Sequence, residues 1–170
     1  WGPNESLYPG FDAMVFDLHE AGYRFLVYVN PFIVSPDSVA MEDDPARFTP
    51  RFDEMDDLGL LLEDQNGTTF IELAVPNFPQ SDAHPDFSNP ATLDSCSESL
   101  KELVREYDVD GWMADYGEWV PLNSVPQDGS DPIARRNTFP IDWQRATREA
   151  MEDVRGNDWA MIARSGFTNV

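Results

Sequence analysis

At 170 residues, 41% hydrophobic and 12% aromatic, the chain can build one packed core and is too apolar for wholesale disorder. Its 32 Asp and Glu face only 11 Lys and Arg, a net charge of -21, with Lys101 the single lysine. Such a surface repels nucleic acid and anionic membrane, so neither is expected as a partner. Acid excess with lysine nearly eliminated is the pattern of a halophilic protein, in which salt screens the self-repulsion. The one cysteine, Cys96, cannot make an internal disulfide and is expected to pack as a small hydrophobe, so nothing indicates an oxidising compartment and a cytoplasmic location is expected. No apolar run reaches the ~18 residues of a membrane span, and Trp1-Gly2-Pro3-Asn4 lacks the features of a signal peptide. The missing initiator Met suggests part of a longer protein. His19 and His84 have no ligand-like spacing, and no metal or organic cofactor is expected.

Helices and strands alternate along the chain. Phe11, Met14, Val15 and Leu18 recur at helical spacing and Gly22 supplies a stop, predicting a helix from about Pro9 to Ala21. The run Phe25 to Ile33 reads as a buried strand that must end at Asn30, because Pro31 removes a ladder donor and restricts its predecessor. An acidic stretch to about Pro50 reads as a loop with a turn of helix, and Phe52, Met55 and Leu58 as a short helix closed by Gly59. Asn66-Gly67 between two strand-like arms predicts a type I′ hairpin, an excursion from the main fold, and Val75 to Asp86 reads as a loop.

Asn89-Pro90 starts a helix whose apolar face is Leu93, Cys96, Leu100, Leu103, Val104 and Tyr107. It feeds Val109 to Ala114, an apolar strand bounded by glycines that ends in Asp115. A carboxylate there costs free energy unless hydrogen-bonded, and at the C-terminal end of a barrel strand it reads as catalytic; capping the next element or a structural ion pair is the alternative. A loop from Pro121 to Pro132, a helix from about Ile141 to Val154 and a strand from Trp159 to Ala163 follow, delivering Arg164 and Ser165 to the same end. Helix and strand in this alternation predict α/β architecture with a parallel sheet, part of a (β/α)8 TIM barrel, roughly its middle strands, over residues 1–170.

These blocks carry a resemblance. W-x-x-x-x-x-x-Y-P, F-L-V-Y-V-N-P-F-I, D-F-S-N-P, D-G-W-M-A-D-Y-G-E-W-V-P and A-R-S-G-F-T resemble, in order, the catalytic barrel of glycoside hydrolase family 31, the retaining α-glycosidases. W-M-A-D-Y-G-E followed by W-V-P is most similar to the sulfoquinovosidases; the α-xylosidases carry an Asp-Phe-Gly-Glu form, the α-glucosidases usually Asp-Met-Asn-Glu.

The resemblance implies a carbohydrate substrate, with Asp115 as nucleophile, Arg164 and Trp112 contacting or walling the sugar site, and Glu118 supporting the nucleophile. It also implies that the acid/base carboxyl lies beyond Val170 and the sulfonate-binding residues before Trp1, so residues 1–170 alone are not expected to be active. Arg136-Asn137 stands where the family often has His-Asn, which bears on substrate contacts. The expected function is hydrolysis of an α-glycoside, an α-sulfoquinovoside first and an α-glucoside or α-xyloside next, through a glycosyl-enzyme on Asp115; a non-catalytic carbohydrate-binding relic is the alternative.

The charge generates a test. Surface carboxylates repel over a Debye length of ~10 Å at 0.1 M salt but only ~3 Å at 1 M. The melting temperature of the protein carrying this chain is expected to rise between those salt levels, and a flat response would mark the charge as ordinary acidity.

Overall fold

The computed structural model describes residues 1–4, 7–36, 38, 51–75 and 78–166, of which 73–75 and 78–80 by backbone alone. Its organising unit is a parallel sheet of β1 (Leu26–Val29), β5 (Gly111–Ala114) and β6 (Ala160–Ala163), in the order β1-β5-β6. Tyr28 and Ile162 flank Met113 in register. Parallel neighbours need long crossovers, and helices supply them. Helix α3 (Pro90–Tyr107) leads into β5, and α4 (Pro132–Arg155) joins β5 to β6. Gly111 is required where β6 closes on β5, since a Cβ there would lie 1.8 Å from the Ala160 carbonyl oxygen.

The helix ends follow their sequence signals. Helix α1 (Phe11–Glu20) ends in a Schellman motif: Gly22 is left-handed (φ 83°), its N–H donates to the His19 carbonyl, and Tyr23 N–H reaches back to Leu18. Asn89 caps α3 by accepting from Ala91 N–H at 3.0 Å. The buried face of α3, Cys96, Leu100, Leu103 and Val104, joins Val109, Trp112, Ala114, Trp143, Ala150 and Met151 in one core. Burial pushes the Cys96 thiol up to about 12, which fits its packing role. No helix among the described residues is long and apolar enough to cross a membrane.

The run Phe25 to Ile33 divides at Asn30-Pro31, where the strand is expected to end. Ile33 and Val34 form β2, which pairs with β4 (Phe78–Ala83) in a second, antiparallel sheet of order β2-β4-β3, where β3 is Glu72–Val75. The Val75 to Asp86 stretch is therefore largely strand rather than loop. Pro79, which has no N–H to give a ladder, masked β4 in the sequence. The short helix α2 (Arg51–Asp57) forms as expected, whereas the expected turn of helix before Pro50 lies outside the described residues.

The hairpin at Asn66-Gly67 exists, closed by the Glu63 to Thr69 bridge, but its turn is not type I′. Gly67 alone is left-handed (φ 73°), and Asn66 is not among the described non-glycine residues with positive φ. Asp64 explains the difference: its Oδ1 accepts from Asn66 and Thr68 N–H, which fixes a type I turn followed by a glycine bulge.

Helix α4 begins nine positions before the expected start near Ile141. Asp131 caps it, accepting from Ile133 N–H at 2.9 Å, and Pro132 occupies the first turn. Pro140 looked like a boundary. The helix runs through it with Phe139 and Pro140 both buried, so packing holds the turn that the missing N–H weakens.

At the N-terminal end of the sheet, Asp110 ties the elements together. Its carboxylate accepts from Phe25 N–H (2.8 Å), Arg24 Nη1 (2.7 Å) and His19 Nε2 (2.7 Å), and Arg155 Nη1 stands at 3.3 Å. Burial would raise its pKa, but the Phe25 amide, Arg24, His19 and Arg155 outweigh it and hold the carboxyl below the usual range. A lowered folded-state pKa means that the stabilisation is complete above the ordinary Asp value of ~3.9 and is lost as pH falls through the lowered one. In the protein carrying this chain, Asp110→Asn is expected to cost about 1.5–3 kcal/mol by urea unfolding at pH 7. The gap to wild type should close in strong acid; a gap independent of pH would rule out the charge as its source.

Candidate active site

The opposite end of the same sheet carries a second buried carboxylate. Asp115 follows β5 directly, and its N–H continues the ladder onto the Val29 carbonyl at 2.9 Å. Its side chain is 11% exposed, too little for water to solvate the charge, so protein groups do. Tyr28 Oη donates to Oδ2 at 2.8 Å, Tyr116 N–H to Oδ1 at 2.9 Å, and Arg164 Nε to Oδ1. Three strands meet in these contacts. Tyr28 comes from β1, Asp115 from the end of β5 and Arg164 from the end of β6.

The backbone beyond Asp115 is bent to make this possible. Tyr116 is left-handed (φ 59°) and Gly117 has φ 108°, so the chain turns back and aims the Tyr116 amide at its neighbour's carboxylate. A left-handed Tyr costs roughly 1–2 kcal/mol and persists only where the surroundings fix it. Here Trp143 Nε1 donates to the Asp115 carbonyl at 3.0 Å and Ser165 Oγ to the Tyr116 carbonyl, while Gln144 Nε2 donates to the Ala114 carbonyl at 3.2 Å. Trp143 and Gln144 stand on α4, which therefore buttresses the turn.

Arg164 joins Asp115 to Glu118. Its Nη2 lies 2.7 Å from Glu118 Oε1 while Nε engages Asp115, and its guanidinium sits over the Tyr116 ring at 4.5 Å. Asp115, Arg164 and Glu118, singled out in the sequence, thus stand together. Trp112 does not join them. It lies an odd number of positions from Asp115 on an extended strand, faces the helices and is fully buried, so it packs in the core and cannot wall a sugar site. Replacing it with Ala would open a cavity worth about 3–5 kcal/mol.

Tyr28, Tyr116, Trp143 and Gln144 were not singled out. Tyr28 left a trace: in L-V-Y-V its ring is on the face opposite Val27 and Val29, and only the pairing of β1 with β5 brings its hydroxyl to Asp115. Desolvation raises the pKa of the Tyr28 phenol, which keeps it protonated and donating. Among the described residues no group of three or more His, Cys, Asp or Glu side chains forms a metal site. The Asp115 carboxylate is thus held in one orientation by three donors at the C-terminal end of the parallel sheet.

The profile of the glycosyl hydrolases family 31 TIM-barrel domain matches residues 1–170. The chain belongs to glycoside hydrolase family 31. A sulfoquinovosidase of Agrobacterium fabrum (strain C58) is 29% identical over 100% of this chain and 24% of its own length. An α-xylosidase of Lactiplantibacillus pentosus, XylQ, is also 29% identical, over 93% of this chain and 19% of its own. Among solved structures, a family 31 sulfoquinovosidase from E. rectale in complex with the aza-sugar inhibitor IFGSQ superposes with a TM-score of 0.81 at 24% identity, over 98% of this chain and 23% of that one. A cycloalternan-degrading enzyme from Trueperella pyogenes in complex with a covalent intermediate gives a TM-score of 0.74 at 25% identity, over 94% and 21%. The chain thus spans about a quarter or less of the length of these family 31 relatives, and its α/β fold is that of the family's TIM-barrel domain.

Proposed function

We propose that the protein carrying this chain is a retaining α-glycosidase and that Asp115 is its nucleophile. The observation that supports this best is the triple hold on the Asp115 carboxylate by Tyr28, Tyr116 N–H and Arg164 at the C-terminal ends of the parallel strands. In this reading a carboxylate oxygen of Asp115 bonds to the anomeric carbon as the glycosidic C–O bond breaks. The leaving oxygen takes a proton from a second carboxyl group ~5–5.5 Å away. Water then attacks the anomeric carbon and returns its proton to that second group, freeing Asp115 and the sugar with retained configuration.

Glu118 is not the second group in this reading. Its Oε1 is committed to Arg164, and it sits in the turn beside the nucleophile, so it holds the arginine that in turn orients Asp115. Arg164, 41% exposed, keeps donors for the hydroxyls of the cleaved ring. In the protein carrying this chain, Asp115→Asn is expected to abolish turnover and leave substrate binding measurable. Mass spectrometry after reaction with a 5-fluoro glycoside should find the label on the peptide containing Asp115. A label elsewhere, or near-normal turnover of the variant, would overturn the assignment.

For the substrate we propose an α-sulfoquinovoside. W-M-A-D-Y-G-E-W-V-P and the sulfoquinovosidase of Agrobacterium fabrum, matched along the whole chain, support it. An α-xyloside is the second reading, favoured by XylQ at the same identity. The sulfoquinovoside is expected to exceed the xyloside and glucoside in kcat/KM by at least tenfold, ~1.4 kcal/mol of transition-state binding. The reverse order would replace this substrate with the preferred one.

A further inference from the structure

The donors on Asp115 are divided unequally between its two oxygens. Each carboxylate oxygen has two lone-pair sites for hydrogen bonds. On Oδ1 both are taken, one by Tyr116 N–H at 2.9 Å and one by Arg164 Nε. Oδ2 accepts from Tyr28 Oη at 2.8 Å, and no second donor reaches it among the described residues. The free lone pair of the carboxylate is therefore on Oδ2. Strand pairing produces this contact: Tyr28 is in register with Met113, two positions before Asp115 and on the same face of the sheet, so the phenol reaches along that face to the carboxylate. Arg164 does not share the task, since its Nε is on Oδ1 and its Nη2 on Glu118.

We propose that Oδ2 is the atom of Asp115 that attacks and that Tyr28 is its positioning residue, aiding the second step of the reaction rather than the first. The inference rests on Asp115 as the nucleophile. In the first step the free lone pair of Oδ2 bonds to the anomeric carbon, the glycosidic C–O bond breaks, and the leaving oxygen takes a proton from the second carboxyl group. The charge of Asp115 is consumed in an ester whose carbonyl oxygen, Oδ1, keeps Tyr116 N–H and Arg164. Tyr28 donates more strongly to a carboxylate than to an ester oxygen, so it holds the nucleophile in place but gives the attack no electrostatic help. In the second step water attacks the anomeric carbon and its proton goes to the second carboxyl group, while the electron pair of the C–Oδ2 bond returns to Oδ2. Tyr28, keeping its own proton, donates to the negative charge as it reappears and so favours departure.

A 5-fluoro glycosyl fluoride separates the two steps in the full-length enzyme. Inactivation reports formation of the glycosyl-enzyme, and recovery of activity after excess reagent is removed reports its hydrolysis. Tyr28→Phe keeps the ring and removes the hydroxyl; it is expected to leave the inactivation rate within about threefold of wild type and to slow recovery about tenfold, the scale of one lost hydrogen bond to a charged group. With an unmodified α-glycosyl fluoride, kcat and KM should fall together while kcat/KM holds, a split that general damage to the fold does not produce. Tyr28→p-aminophenylalanine puts a weaker donor in the same place and should show the same split at smaller size, recovery slowing about threefold. It also serves if the Phe variant does not fold. Equal slowing of both steps in either variant, or recovery as fast as wild type in either, would overturn the inference. A 5-fluoro label on a residue other than Asp115 would instead overturn the nucleophile reading, which the ratio of the two rates does not test.

Discussion

A charged carboxylate with almost no access to water must be satisfied by the protein, and in this chain that requirement acts at both ends of one strand. Asp115 at the C-terminal end of β5 draws in Tyr28 from β1, a left-handed turn at Tyr116 and Arg164 from the end of β6. Leaving such an anion unpaired would cost several kcal/mol, comparable to the whole margin of stability of a domain. The alignment of three strands, the bend after Asp115 and the buttress from Trp143 and Gln144 are all conditions for keeping it there.

Asp110, just before the same strand, meets the same demand. Its partners, the Phe25 amide, Arg24, His19 and Arg155, leave its side chain 3% exposed, against 11% for Asp115, and each carboxylate keeps one exposed arginine, Arg24 at 58% and Arg164 at 41%. What separates the two is their place: Asp110 precedes β5 and Asp115 follows it, the two strand ends that parallel barrels divide between stability and chemistry.

Much of this was legible in the sequence wherever a residue acts through its own backbone. Gly22 stops α1, Asn89-Pro90 starts α3 and Pro31 ends β1, each by a local steric or hydrogen-bonding rule. Asp115 and Arg164 were legible because each follows a short apolar strand. What stayed hidden depends on partners distant in sequence. Pro140 reads as a break unless the burial of its neighbours is known, and β4 reads as loop unless β2 and β3 are seen to pair with it. The turn at Asn66-Gly67 was decided by Asp64, outside the dipeptide that suggests type I′. Trp112 was placed at the sugar site by resemblance alone; its odd separation from Asp115 puts it on the core face of the strand.

The charge balance also shapes how the few cations are used. Arg24 pairs with Asp110 and Asp158, Arg135 with Asp128 and Asp142, Arg155 with Asp108 and Asp110, and Arg164 with Asp115 and Glu118. In each case one guanidinium serves two carboxylates. With 32 acidic residues against 11 basic ones, a cation that grips two anions at once is worth more than a point charge that grips one, and the planar fork of arginine has the donors for it. Lys101 does bridge Glu98 of α3 and Asp153 of α4, but at 3.7 Å and 2.7 Å its grip is uneven. At Asp110 and Asp115 the buried carboxylate is held by arginine together with other donors, whereas buried Asp86 is held by the Ser88 and Gln127 amides, so among these three arginine is kept for the two carboxylates at the ends of β5.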